Sequence, residues 1–210
     1  MPSSCWSCGG ERAPTDPLCP SCGKVQPPPA LKAGEKLVLD KFATLGLPRA
    51  FEQDEAALEE RFRELSRKLH PDRFARATAQ ERRYSLEQTT RLNEAFRTLK
   101  DPVRRAEHLL ELRGIPVASS ERNEVKMSPE FLEQAMEDRE KLLEARMEGG
   151  PEAVEALARG VREQRDAALS QVEQLFAEGA PDGKKAAELL ARMRYYARYL
   201  DEVEGRAPEI

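Results

Sequence analysis

Apolar residues recur at helical spacing from Leu37 to the end of this 210-residue chain, and no segment after residue 25 alternates as a strand does. A short helix is predicted from about Leu37 to Leu45, because Gly46 can end it. Asp54 can cap the next helix, which must stop before Pro71. The buried face of that second helix is predicted to carry Leu58, Phe62, Leu65 and Leu69.

Capping signals place two more helices in this first helical region. Thr78 and Glu81 have the spacing of a capping box, which predicts a third helix ending near Lys100. The pair Asp101-Pro102 then supplies a cap and a first residue for a fourth helix, which runs to about residue 112. The region 37–112 is therefore predicted to be a helical hairpin with a joining helix.

A second helical region follows a loop at 113–127. Ser128 and Pro129 begin a helix that the segment 149–151, Gly-Gly-Pro, ends, and two longer helices follow. Their apolar positions are Val154, Leu157, Val161, Ala168, Val172 and Leu175 in the first, and Ala186, Leu189, Met193, Tyr196, Leu200 and Val203 in the second. Three long helices with short connections predict a bundle over 128–205.

The predicted fold class is all-α, with a small cysteine module at 1–25 and a proline-rich linker at 26–36 before the helices. Hydrophobic residues make up 40% of the chain and charged residues 34%, as in helix-rich globular proteins. The aromatic fraction of 6% argues against a large β-sandwich core.

The four cysteines form two Cys-x-x-Cys pairs separated by ten residues, Cys5 with Cys8 and Cys19 with Cys22. This spacing lets four thiolates converge on one metal ion, and Zn²⁺ is the predicted occupant. Iron in a rubredoxin-like site and a pair of redox disulfides stay open as alternatives. The simplest role for the metal is to fold a segment that has too little core of its own, against a direct part in binding.

The formal net charge of -4, from 34 basic and 38 acidic residues, indicates no general attraction to nucleic acids or anionic membranes. No run of 18 apolar residues predicts a membrane span. Because Cys5 leaves no room for a secretory leader, and no Arg-rich transit segment precedes it, we expect the cytoplasm of a bacterium as the location.

His70-Pro71-Asp72 occupies the predicted turn between the second and third helices. The helix before it carries a basic group consisting of Arg61, Arg63, Arg67 and Lys68. Taken alone, the tripeptide is equally well explained as a helix terminator with a favourable histidine at the helix end.

The succession of helix, basic helix, His-Pro-Asp turn and helix resembles a J-domain. The segments 70–74 (HPDRF), 92–102 (LNEAFRTLKDP) and 104–110 (RRAEHLL) resemble the HscB family of co-chaperones, and the resemblance extends over roughly 37–204. The amino-terminal cysteine module is similar to that of mitochondrial members of the family, whereas the shorter bacterial form lacks it.

The resemblance implies that His70, Pro71 and Asp72 engage the nucleotide-binding domain of a DnaK/HscA-type chaperone and stimulate its ATP hydrolysis. It further implies that the basic residues dock on an acidic surface of that chaperone. The chain itself has no glycine-rich phosphate loop.

The helix after Ser128 carries an acidic stripe of Glu133, Glu137, Glu140 and Glu144 beside Leu132 and Met136. Tyr195 and Tyr199, one turn apart on the last helix, are predicted to lie off its main apolar seam. By the resemblance, an IscU-type iron–sulfur scaffold protein would bind a patch of Leu132, Met136, Glu137, Glu140 and Tyr195. Glu133 departs from the apolar residue frequent there in the family. The alternative is that Leu132 and Met136 belong to the core and the glutamates only keep the helix soluble.

Three other functions compete with scaffold delivery. A general J-protein would be expected to carry a Gly/Phe-rich or β-rich segment after the J-domain, and neither is seen. A zinc-ribbon adaptor for nucleic acids would need more basic and aromatic residues than Trp6, Arg12 and Lys24. An enzyme is disfavoured because His70 and His108 are the only histidines and neither has catalytic partners in the sequence.

Overall fold

The computed structural model describes residues 3–29, 40–115, 117, 127–177 and 182–206, and the chain divides into two compact units, Met1–Leu112 and Arg113–Ile210. The all-α prediction is confirmed for the described helical regions. Two short strands form in the cysteine module, β1 (Ser3–Ser4) and β2 (Glu11–Arg12). The helices are α1 (Lys41–Leu45), α2 (Glu55–Leu69), α3 (Ala79–Lys100), α4 (Pro102–Leu112), α5 (Pro129–Glu144), α6 (Gly150–Ala177) and α7 (Gly183–Val203). No helix among the described residues is long and apolar enough to cross a membrane.

The core of the first helical region lies between α1, α2 and α3. Phe42 and Leu45 of α1 are fully buried, and the predicted capping box of Thr78 and Glu81 begins α3. The predicted apolar face of α2 is confirmed at Leu58, Leu65 and Leu69, which are buried together with Leu92 and Leu99 of α3. Phe62, also predicted on that face, is half-buried and stacks on Phe96 at a centroid distance of 4.1 Å.

The start of α1 differs from the prediction. The helix begins at Lys41 rather than near Leu37, because the side chain of Asp40 accepts a hydrogen bond from the N–H of Ala43 and so caps it. Residues 37–39 lie outside the described part of the chain. Gly46, with φ of 68°, ends the helix as predicted.

α4 is joined to α1 by a buried histidine. The Nε2 atom of His108 accepts a hydrogen bond from the backbone N–H of Lys41 at 3.0 Å, and its ring stacks on Phe42. An N–H in the first turn of a helix has no partner within the helix, so His108 satisfies a donor that would otherwise be buried without one.

The second unit contains α5, α6 and α7. Ser128 caps α5, and a single π-helical turn, Ala145–Gly149, joins it to α6 at Gly150, where φ is 70°. The predicted apolar positions of α7 are buried as expected at Ala186, Leu189, Met193, Tyr196 and Leu200. On α6 the buried positions are Ala158, Val161, Ala168 and Val172. Tyr199 was predicted to lie off the seam, and this is wrong: it is buried, because its ring turns towards α5.

We predict that His108→Leu lowers the free energy of unfolding of the first unit by about 1–3 kcal/mol, because the Lys41 N–H loses its acceptor while side-chain volume is largely kept. Urea denaturation followed by circular dichroism measures the change. The other histidine, His70, is exposed, and His70→Leu is expected to cost less than about 1 kcal/mol. Equal losses in the two variants would contradict a structural role for the His108 ring nitrogen.

Candidate metal centre and partner-binding surfaces

Two equivalent turns hold the four cysteines. In each turn the glycine after the second cysteine has φ of 70°, and its N–H donates to the carbonyl of the first cysteine, from Gly9 to Cys5 and from Gly23 to Cys19. Such a φ strongly favours glycine. Backbone pairing closes the base of each turn, β1 with β2 around the first and a bridge between Leu18 and Val25 around the second.

The four sulfur atoms lie in one cluster, with all of them within 4.8 Å of one another. The Cys5 and Cys22 sulfurs are 3.7 Å apart, and so are those of Cys8 and Cys19. A tetrahedral site with metal–sulfur bonds of about 2.3 Å requires sulfur separations of about 3.8 Å, whereas a disulfide requires about 2.05 Å. The four cysteines therefore fit a metal ion as ligands, and they are not arranged as disulfides.

Hydrogen bonds from the turns act on the thiols. Burial raises the pKa of Cys5, but hydrogen bonds from the N–H groups of Cys8 and Ser7 outweigh it and lower the pKa to about 6. The N–H of Cys22 likewise lowers the pKa of Cys19. The pKa of Cys22 is raised to about 12, because burial and the neighbouring thiols outweigh the hydrogen bond from Lys24. The backbone thus favours thiolates at part of the cluster, as a metal-binding site requires.

The His-Pro-Asp segment lies in the exposed turn that the sequence predicts. His70 directly follows α2 in a non-helical conformation, and Pro71–Phe74 form one turn of 3₁₀ helix. The Nδ1 atom of His70 accepts a hydrogen bond from the N–H of Asp72 at 3.3 Å. The His70 side chain is 54% exposed and that of Asp72 is 90% exposed, so both are accessible to a partner.

The end of α2 is fixed by hydroxyl groups of α3. The carbonyl oxygen of Leu69 accepts hydrogen bonds from the Ser85 hydroxyl at 2.6 Å and from the Thr89 hydroxyl at 3.1 Å. Terminal carbonyls of a helix lack intrahelical partners and need such donors when they are buried. These two bonds fix the backbone immediately before the His-Pro-Asp turn, and the sequence pattern alone does not single them out.

Most of the predicted basic group is paired within α2. Arg61 and Lys68 both form ion pairs with Glu64, and Arg63 pairs with Glu59. Arg67 is exposed. This face of α2 is therefore an alternation of charges, and its positive field is weaker than four basic residues alone would give.

The side chains of Leu132 and Met136 point into solvent, with 51% and 66% of their surface exposed. The alternative that they belong to the core is therefore wrong. The buried side of α5 is instead formed by Phe131, Leu142 and the π-turn residue Ala145.

The exposed face of α5 has an apolar and an acidic stripe. At about 100° per residue, Leu132, Met136 and Leu143 fall within about 40° of one another. Leu143 and, in the next turn, Met147 are also exposed large apolar residues, and neither was among the predicted binding residues. Their spacing alone does not show that these residues are exposed; this becomes clear only once the buried side of the helix is known. The exposed acidic residues beside this stripe are Glu133, Glu137, Glu140 and Glu144.

Tyr195 contacts α5 beside the exposed stripe, at the side of the helix that carries the buried Phe131. Its hydroxyl donates to the carbonyl of Ala135 at 2.9 Å, and its ring packs edge-on against Phe131. One turn further, the Tyr199 hydroxyl donates to the carbonyl of Asp138 at 3.3 Å. Burial raises the pKa of Tyr195 to about 12. Tyr195 is therefore half-buried and orients α5, while Leu132, Met136, Glu137 and Glu140 are exposed.

Comparison with known proteins accounts for both units. A DnaJ domain matches residues 40–108, and the HSCB C-terminal oligomerisation domain matches residues 127–204. The co-chaperone protein HscB homolog of Shewanella baltica (strain OS195) is 41% identical over 167 residues, covering 79% of this chain and 95% of the relative. The chain belongs to the HscB co-chaperone family.

Two solved structures of HscB proteins are similar to this fold. The crystal structure of human co-chaperone protein HscB aligns with a TM-score of 0.81 at 30% identity, over 97% of this chain and 98% of the human one. Chaperone HscB from Vibrio cholerae aligns with a TM-score of 0.69 at 34% identity, over 80% of this chain and 96% of that one. An alignment over 97% of the chain extends across the cysteine module.

We predict that the purified chain retains one divalent metal ion and that Cys19→Ser loses it, because three thiolates and a hydroxyl make a much weaker site. Metal content after gel filtration, measured by mass spectrometry, is the readout. Ser7→Ala changes an exposed residue of the same module without removing a thiol and is expected to keep the metal. Retention of metal by Cys19→Ser would contradict a four-thiolate site.

Proposed function

We propose that this HscB family protein is a co-chaperone that stimulates the ATPase of a DnaK/HscA-type chaperone and delivers an IscU-type iron–sulfur scaffold protein to it, promoting cluster assembly and transfer. The observation that carries the proposal is the presence on one chain of an exposed His-Pro-Asp turn and an exposed apolar and acidic face on α5. The similar human protein is named "Iron-sulfur cluster co-chaperone protein HscB"; it is 31% identical over 204 residues.

In this proposal the chain binds and orients, and the chaperone carries out ATP hydrolysis. His70, Pro71 and Asp72 contact the nucleotide-binding domain of the chaperone, which explains why the side chains of His70 and Asp72 are exposed. The hydrogen bonds to the Leu69 carbonyl hold the turn in one conformation before binding, so less entropy is lost when the complex forms. Arg67, which is exposed on the preceding helix, and the paired residues Arg61, Arg63 and Lys68 would face an acidic surface of the chaperone.

We propose that the scaffold protein binds the exposed face of α5 through Leu132 and Met136, with Glu137 and Glu140 setting its orientation. A cluster of large apolar side chains bordered by charges is the usual composition of a specific protein interface. Leu143 extends the same stripe and is proposed as part of the surface. Tyr195 acts from the side of the helix that carries Phe131, by holding the Ala135 carbonyl.

Holding both partners on one chain raises the concentration of the scaffold near the chaperone without any direct contact between them. We propose zinc as the metal of the four-cysteine site, where it would act as a structural cross-link because the four thiolates leave no coordination position open. The bacterial relatives support the cytoplasm as the place of action.

We predict that His70→Gln removes the stimulation of ATP hydrolysis by the chaperone and leaves scaffold binding unchanged, because His70 is exposed and lies in the first unit. The measurements are the steady-state ATPase rate of the chaperone and scaffold affinity by calorimetry. Loss of scaffold affinity together with stimulation would mean that the His-Pro-Asp turn is only structural.

We predict that Leu132→Ser combined with Met136→Ser weakens scaffold binding by about 10- to 100-fold, because two central apolar contacts are lost. Stimulation of the chaperone without scaffold should be unchanged. A matched control is Leu86→Ser, since Leu86 is an equally exposed leucine on α3 in the first unit. If the double variant binds the scaffold with wild-type affinity, α5 is not the binding surface.

A further inference from the structure

The cysteine module packs against α3 of the J-domain. Val25 and Gln26, which follow the second cysteine pair, have no exposed surface. The backbone carbonyl of Gln26 accepts a buried hydrogen bond at 2.9 Å from the side-chain amide of Gln88, which lies on α3. Gln26 was predicted to begin the proline-rich linker, but it is a buried residue of this contact.

A charged contact lies at the first turn of α3. The Nζ atom of Lys24 is 2.7 Å from a carboxylate oxygen of Glu81, whose side chain is only 5% exposed. The other carboxylate oxygen accepts hydrogen bonds from the N–H and hydroxyl groups of Thr78. The hydrogen bond from Lys24 lowers the pKa of Glu81. A buried carboxylate that loses its cation is strongly destabilised, so the capping box of α3 depends on a residue from the cysteine module.

An aromatic contact and a sulfur contact complete the connection. The indole of Trp6, which lies between Cys5 and Cys8, donates to the Val25 carbonyl at 2.7 Å and packs edge-on against Tyr84 of α3. The side-chain amide of Gln26 donates to the Cys5 sulfur at 3.2 Å. The same residue thus touches the sulfur cluster with its side chain and α3 with its backbone.

Every module residue in these contacts belongs to one of the two cysteine turns or follows it directly. Within the described part of the module, the buried hydrophobic residues are Cys5, Cys19 and Val25. Such a small core cannot fix the turns alone, and a metal bound by four thiolates can. The contacts that Trp6, Lys24 and Gln26 make with α3 therefore depend on the sulfur cluster being held together.

We propose that the metal centre stabilises the J-domain. Metal binding places Lys24 and Gln26 as positioning residues for α3, including its first turn, which begins at Ala79 after the His-Pro-Asp segment. The proposal rests on the zinc assignment made under the proposed function. In this proposal the cysteine module stabilises α3 in addition to folding itself. Loss of metal therefore loosens the helix whose hydroxyls hold the chaperone-binding turn.

The test is hydrogen exchange measured by mass spectrometry on the full zinc-loaded chain, before and after chelation under reducing conditions. Trp6 is the only tryptophan, so its fluorescence reports the contact with Tyr84 in the same sample. We expect chelation to speed exchange over residues 79–92 by about tenfold or more, with a red shift of Trp6 emission. Exchange in α7, which belongs to the other unit, should stay within about twofold of its original rate.

Substitution at Lys24 separates the contact from metal binding, because Lys24 is not a ligand. Lys24→Met is expected to retain zinc at the wild-type ratio and still speed exchange over 79–92, while Lys24→Arg restores protection because it restores the cation. The matched control is Lys184→Met on α7, where the lysine side chain is exposed, and it should leave exchange over 79–92 unchanged.

Two results would overturn the proposal and are distinguishable. If the wild type retains zinc and its removal by chelator leaves exchange over 79–92 unchanged, the stability of α3 does not depend on the metal centre. A wild-type chain that does not retain zinc would overturn the metal assignment and this proposal together. Neither result bears on His70 or α5, so the co-chaperone function would be tested separately.

Discussion

The carbonyl group of Leu69 is the point on which the proposed chaperone-binding surface depends. Pro71 and the non-helical His70 end α2 there, and the Ser85 and Thr89 hydroxyls of α3 complete the hydrogen bonding of the last carbonyl. Because these bonds join two helices, the packing of α2 on α3 holds the His-Pro-Asp turn in addition to Pro71 and the local hydrogen bond from the Asp72 N–H to His70. The side chains of His70 and Asp72 are exposed because the turn is anchored through the backbone, and the hydrogen bond that His70 accepts from the Asp72 N–H lies within the turn itself.

The second unit uses the same principle on a larger surface. Tyr195 and Tyr199 donate their hydroxyls to backbone carbonyls of α5, so the helix is held from its buried side. Its outer side is then left with Leu132, Met136 and Leu143 in solvent, which a protein without a partner for that face rarely tolerates as a cluster. In both units, contacts made elsewhere on the element leave exposed the side chains that are proposed to bind a partner.

The sequence predicts correctly those features that are determined by residues close together in the chain. The capping box at Thr78, the helix end before Pro71 and the helix end at Gly46 each follow from residues a few positions apart. The sequence does not predict contacts between residues that are far apart in the chain. Lys24 pairs with Glu81, which is 57 positions away, and the Tyr199 hydroxyl bonds to a carbonyl of α5 that is 61 positions away. The periodicity of a helix gives its faces but not which face is covered, so the exposure of Leu132 and Leu143 could not be read from the pattern.

Steady-state ATP hydrolysis by the purified DnaK/HscA-type chaperone tests the central claim most directly. It is measured with the chaperone alone, with this protein, with the IscU-type scaffold, and with both. If one chain binds both partners, the rate with both present exceeds the sum of the two separate stimulations. A rate with both that only equals that sum, or no stimulation by this protein at all, would contradict the account.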